Sequence, residues 1–274
     1  MTLQLQYYGE TTIPVEVEGI LPEKLRELSL AEIEQLPIHH GNTQCPLAEF
    51  FRVSGDASDE VICWQGELSG VHWLGAQMRS GSMRVEGNIG RHVGSEMRGG
   101  QIEVRGNASD WVGAEMHGGR IHIRGNAGHL VGSAYRGSSR GMTAGTILVD
   151  GDAGNEIGHT LRRGVVAVGG KAGDLAGFNM LAGSVLLFGE TGIRHGAGMH
   201  RGTLGFFGSS PPPILSSFRF ACRFRPDVLK LFARQLRQLG FAPADSLRDM
   251  TIDLYNGDMI EGGRGEMLIR AEDT

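Results

Sequence analysis

Lysine and cysteine are almost missing from this chain. Of its 26 basic residues only Lys24, Lys171 and Lys230 are lysine, leaving 23 arginines, a bias that GC-rich coding accounts for. Cys45, Cys63 and Cys222 are odd in number, widely spaced and form no C-x-x-C. That pattern argues against a disulfide framework, a zinc site or an iron–sulfur cluster, and fits a reducing cytoplasm. Charge of one sign is also scarce. A net charge of −5 gives no reason to expect nucleic acid or a membrane surface as a partner. No run approaches the ~18 apolar residues of a membrane helix. The start, MTLQLQYYGETTIPVEVEG, lacks a basic region followed by an apolar one, so no signal peptide is expected. These absences together predict a soluble, cytoplasmic protein.

Glycine is what the chain has in excess, 44 residues out of 274, and most of it lies between Leu68 and Gly208. There the sequence repeats every 19 residues: GNIGRHVGSEMRGGQIEVRG (Gly87 to Gly106) is followed by GNASDWVGAEMHGGRIHIRG (Gly106 to Gly125). Units start at Leu68, Gly87, Gly106, Gly125, Gly151, Gly170 and Gly189, and Gly208 closes the last. The step from 125 to 151 holds seven extra residues, read as Ser138 to Ala144. With the unit start as position 0, glycines recur at +3, +7 and +13, a long apolar residue at +10, and aliphatics at +15 and +17. Ile102/Val104, Ile121/Ile123 and Val166/Val168 alternate with their neighbours as strand residues do, facing inward. Nineteen residues leave room for two or three short strands and glycine corners, not for a strand and a helix. A leucine-rich repeat is of similar length, but its L-x-x-L-x-L pattern is absent. The period therefore predicts an all-β solenoid, a parallel β-helix of about seven coils.

An open end of such an array exposes core and strand edges, so small α/β caps are expected at both ends. The expected division is an N-terminal cap over 1–54, repeats over 55–208, and a C-terminal segment over 209–274. Ser29-Leu-Ala-Glu32 has the form of a capping box before a short helix. After SSPPP (Ser209 to Pro213), Val228, Leu229, Phe232, Leu236 and Leu239 share one face of an amphipathic helix ended by Gly240.

Candidate sites follow from the columns of the repeat. The GNxG corners and GGRG (Gly262 to Gly265) lack the following helix that a phosphate loop needs, so they read as structural. The ten histidines fall at different offsets without ligand spacing, and no nucleophile has a nearby base. Position +11 differs: it holds Arg79, Arg98, His117, Arg136, Arg162, Leu181 and His200. Stacking brings those bases into one strip, read either as a surface ladder with local ion pairs, Glu96 and Glu115 at +9 supplying some, or as a contact for a polyanion or an acidic partner. At +16 and +18 the early units are charged but the later ones carry Leu148, Leu186, Phe188 and Phe207. Strands apolar on both faces are covered on both, here by the C-terminal segment or by another subunit, so these four are candidate partner-interface residues.

The repeat, the loop HHGNTQCPLAEFFRVSG (His39 to Gly55) and the segment GDMIEGGRGEM (Gly257 to Met267) together resemble the C subunit of formylmethanofuran dehydrogenase and its counterpart in the bacterial formyltransferase/hydrolase complex. The resemblance runs over nearly the whole chain. It implies a right-handed β-helix that serves as a non-catalytic scaffold, with no cofactor of its own. It also implies three partners: an A subunit that is amidohydrolase-like with a metal centre, a B subunit of molybdopterin type whose redox cofactor is lost in the bacterial complex, and a D subunit. The D subunit moves the formyl group between tetrahydromethanopterin and a methanofuran-type carrier, whose polyglutamylated tail makes the +11 strip a candidate contact. Two other readings stay open: the C subunit of a redox molybdenum or tungsten dehydrogenase, and a glutamate synthase-type β-helix domain of an amidotransferase.

Overall fold

The computed structural model describes residues 2–271. Its N-terminal segment builds β1 (Leu3–Tyr7), β2 (Val15–Glu16), α1 (Pro22–Leu25), α2 (Leu30–Glu34), β3 (Pro37–His40), β4 (Thr43–Pro46) and β5 (Phe51–Ser54). The S-x-x-E sequence does cap α2: Ser29 accepts from the Glu32 N–H, and the Glu32 carboxylate accepts from the Ser29 N–H. Next come β6 (Val61–Gln65) and the short β7 (Val71–His72). One strand per repeat follows: β8 (Ser82–Val85), β9 (Gln101–Val104), β10 (Arg120–Ile123), β11 (Thr146–Val149), β12 (Val165–Val168), β13 (Ser184–Leu187) and β14 (Arg201–Phe206). The C-terminal segment adds β15 (Arg219–Phe224), α3 (Val228–Gln238), β16 (Ile252–Gly257) and β17 (Arg264–Arg270). No helix among the described residues is long and apolar enough to cross a membrane.

The architecture departs from the expected all-β solenoid, a right-handed parallel β-helix of about seven coils between small α/β caps. The chain forms one mixed sheet of 13 strands, ordered β15-β16-β17-β14-β13-β12-β11-β10-β9-β8-β6-β1-β5, and a second sheet of four, β4-β3-β2-β7. Two physical reasons explain the difference. Each repeat contributes only one strand to the large sheet, because its glycine-rich remainder is turns that meet their neighbours at single bridges such as Ile89↔Ala108 and Ala108↔Ala127. The terminal segments do not sit apart as caps but extend the same hydrogen-bonded sheet. At one end β1 pairs in parallel with β6 and antiparallel with β5. At the other, β17 adds in parallel to β14, and β16 and β15 follow antiparallel.

Register within the sheet follows the repeat. Ile121 lies opposite Ile102 on one side and Ile147 on the other, and Ile123 opposite Val104 and Val149. These side chains are fully buried or nearly so and form a continuous aliphatic stack. Outside the strands, the second residue of each unit forms another ladder. The Oδ1 atoms of Asn88, Asn107, Asn126 and Asp152 each accept the backbone N–H of the equivalent residue in the next unit, at 2.6–2.9 Å. That satisfies polar backbone which the turns leave without a strand partner. The GN dipeptides are thus structural.

The insertion is placed differently from the sequence reading. Met142, not Tyr135, occupies the buried +10 site of its unit. Ala134 donates to the His159 carbonyl as Glu115 does to that of Ser133, and Met142 to the Gly132 carbonyl as Met116 does to that of Gly113, so the extra residues are 135–141 rather than Ser138 to Ala144. Packing decides this. The Cε of each +10 methionine covers the +13 glycine of the next unit, Met97 over Gly119, Met116 over Gly145 and Met142 over Gly164. At Gly119 (φ +86) a Cβ would lie 2.9 Å from the Gly100 carbonyl oxygen and from the Gly99 carbonyl carbon, backbone atoms that cannot swing aside, so that corner calls for glycine.

Candidate functional site

The +11 residues hang from one backbone ladder. The N–H groups of Arg98, His117 and Arg162 donate to the carbonyls of Met78, Met97 and Met142, and that of His200 to Met180. Because the insertion precedes Met142, Thr143 follows His117 in this ladder, its N–H bonding the Met116 carbonyl, and Arg136 is carried out of the column. The strip is therefore Arg79, Arg98, His117, Thr143, Arg162, Leu181 and His200. His117 Nδ1 lies 2.8 Å from Thr143 Oγ1, and His200 Nδ1 is 3.5 Å from Glu261 Oε2. Arg79, Arg98, Arg136 and Arg162 are all exposed. None of these four makes a salt bridge among the described residues. Glu96 and Glu115 are engaged elsewhere, accepting from Gln77 Nε2 and from the Tyr135 N–H. What remains is an uncompensated cationic edge, densest at Arg79 and Arg98.

The late apolar face is covered within the chain, which corrects its assignment as a partner interface. Leu148, Leu186 and Phe207 pack in a second core with Leu229, Ala233 and Leu236 of α3 and with Phe241, Ala244 and Leu247. Phe188 is part-buried at its margin, 5.3 Å from the Phe207 ring and 5.4 Å from that of Phe241. Of the two covers the sequence left open, the C-terminal segment takes the place.

One cluster was missed from sequence. Trp73, His92 and Trp111 share offset +5, each with a left-handed backbone (φ 63, 65 and 68) that turns the rings onto one face. Trp73 and His92 stack at 4.1 Å with planes 10° apart, and Trp111 continues the column 6.2 Å from His92. Tyr135, delivered by the insertion, lies 4.8 Å from Trp111. Its hydroxyl is 2.9 Å from His92 Nδ1 and 2.8 Å from the hydroxyl of Ser95, which is fully buried. Burial, with His72 and Arg91 nearby, depresses His92 to about 4, so its imidazole is neutral near neutral pH. Burial pushes Tyr135 up to about 12. Three planar side chains at one offset were a readable signal. Tyr135 was not, because glycine spacing assigned it to the core.

The histidines serve different local purposes. His72 and His129 take the asparagine's part in a side ladder, their Nδ1 atoms accepting from the N–H of Arg91 and of Asn155. Among the described residues no three His, Cys, Asp or Glu side chains gather as a metal site. In the GDMIEGGRGEM segment, Asp258 accepts from the N–H groups of Gly198 and Ile260, fastening the β16–β17 turn to the last repeat.

Comparison with known proteins adds three findings. The GXGXG motif family model matches residues 71–210. The C subunit of the molybdenum-containing formylmethanofuran dehydrogenase 1 of Methanothermobacter marburgensis is 41% identical over 79 residues, 28% of this chain. The corresponding tungsten-containing dehydrogenase 2 subunit of Methanococcus maripaludis is 37% identical over 92 residues, 33% of this chain. The matched stretches span only 20% and 34% of those relatives' own length. A chain in the crystal structure of the formyltransferase/hydrolase complex (FhcABCD) from Methylorubrum extorquens with methylofuran superposes with a TM-score of 0.90 at 30% identity, covering 98% of this chain and 100% of that one.

Proposed function

The chain belongs to the GXGXG motif family and, within it, to the C-subunit family of formylmethanofuran dehydrogenases, and from that premise we propose that it is the scaffold subunit of a formyltransferase/hydrolase complex. The observation that carries this reading is the end-to-end match to a chain of the Methylorubrum complex. In the proposed role the chain supplies surface rather than catalysis. Its partners are the A, B and D subunits, which hold the metal and handle tetrahydromethanopterin and the furan carrier. The cationic edge at Arg79 and Arg98, continued by His117, Arg162 and His200, is the proposed contact for the carrier's anionic tail or for an acidic partner face. Arg136 is outside that edge. Guanidiniums without carboxylate partners favour such a contact, since stacked like charges are relieved when an anion bridges them.

A second reading has its own support: the curated relatives are named as molybdenum and tungsten dehydrogenase subunits. Purifying the tagged chain from its host with partners attached separates the two. Three partner subunits without molybdenum or tungsten are expected. Stoichiometric molybdenum or tungsten assigns the redox complex instead. Recovery with a flavoprotein or a glutaminase would reject both and point to an amidotransferase.

A further inference from the structure

The large sheet carries a partly enclosed polar pocket on β8, β9 and β10, separate from the residues of the cationic edge. Its volume is about 200 Å3, and its far wall is Leu239, at the end of α3. The register of the three strands sets Arg84, Glu103 and His122 side by side in one row and Ser82, Gln101 and Arg120 in the next. Arg124 completes the lining.

The charges in this pocket do not cancel. Glu103 is already committed, accepting from Arg124 Nε at 2.9 Å and Nη2 at 2.8 Å. Arg124 also reaches Asp150 and the Gly240 carbonyl, and His122, almost fully buried, bonds Asp150 at 2.9 Å. Arg124, Glu103, Asp150 and His122 thus form a closed floor. Arg120 meets only a neutral partner, the Gln101 Oε1 at 2.6 Å, and neither it nor Arg84 forms an ion pair among the described residues. Two guanidiniums without a carboxylate partner therefore line the pocket, and its one lining carboxylate is held by Arg124 through Oε1. Water screens them less there than on the open strands, because Leu239, just after α3, closes one side.

We propose that this pocket binds a small oxyanion, a phosphate or carboxylate group, held between Arg84 and Arg120 over the Arg124–Glu103 floor. Planar guanidiniums present paired N–H donors that match two oxygens of such a group. Gln101 and Ser82 are positioned to complete the oxygen contacts. Since Leu239 forms a wall, the site exists only when the C-terminal segment is docked, and ligand binding there also fastens that segment.

The test is calorimetric titration of the full chain with inorganic phosphate and, separately, with succinate at fixed ionic strength. Saturable binding of at least one is expected, with affinity at least tenfold weaker in the Arg84→Gln/Arg120→Gln variant and unchanged in Arg52→Gln on β5. Binding of phosphate alone assigns a phosphoryl ligand, and binding of succinate alone a carboxylate. Should the double variant fold poorly, Arg84→Gln alone, altering an exposed side chain, gives the same reading. No saturable binding of either anion, or unchanged affinity in the arginine variants, would overturn the proposal.

Discussion

His92 shows how much a single residue's surroundings decide. On an open strand it would titrate near 6.5; between two indoles and under Tyr135 it titrates near 4. Because the folded value lies below the unfolded one, the unfolded chain takes up a proton over the interval that the folded chain refuses. Stability is therefore unaffected above about 6.5 and falls as pH drops from about 6.5 towards about 4. His72, His159 and His195, all lowered by burial, slope the same way. Denaturant unfolding at pH 7 and pH 5 is expected to show a smaller loss in His92→Phe than in the natural chain. Equal losses would mean that His92 stays protonatable in the fold.

At the scale of elements, two attachments hold non-repeat segments to the repeats. Residues 135–141 are tied down by Tyr135, whose hydroxyl serves both His92 and the buried Ser95. Tyr135→Phe leaves that serine hydroxyl without this partner, for a cost of roughly 1–3 kcal/mol. Faster limited proteolysis within 135–141 should accompany the loss. An unchanged cleavage rate would show that the ring alone holds the segment. The second attachment is α3. Leu236 is fully buried against the strand face that carries Leu148 and Leu186. Leu236→Ala is expected to lower stability by roughly 2–5 kcal/mol, as for other core truncations to alanine. A change within about 0.5 kcal/mol in urea unfolding, typical of surface positions, would mean that the cover is loosely packed.

For the whole molecule, the sheet fixes what can face outward. Its central strands are buried on the aliphatic side by the stacked turns and, from β11 onward, on the other side by the C-terminal segment. The exposed polar face of the sheet thereby lies on the early repeats, beside the +11 edge. Reversing the charge of Arg79 and Arg98 to glutamate is expected to weaken binding of a polyglutamylated carrier, or assembly with its partners, at least tenfold. The fold should be unaffected, because both side chains are exposed and form no salt bridge among the described residues. Full retention of carrier affinity and assembly would remove the edge from the function.

The sequence by itself determined the period, the inward strand positions and the helix before Gly240, because each rests on local alternation or spacing that any neighbour of the same kind satisfies. It also carried the family, through motifs at both ends as well as the repeat. Tertiary structure alone decided that each repeat lends a single strand to one mixed sheet and that the terminal segments extend this sheet instead of capping it. Those outcomes depend on which distant backbone edge is free to pair, which no local spacing encodes. The same holds for Met142 displacing Tyr135. Glycine counts fit either choice, and only the methyl group packed over Gly164 tells them apart. Once Met142 fills the core, Tyr135 is free to lie across the aromatic column, and Arg136 leaves the cationic edge.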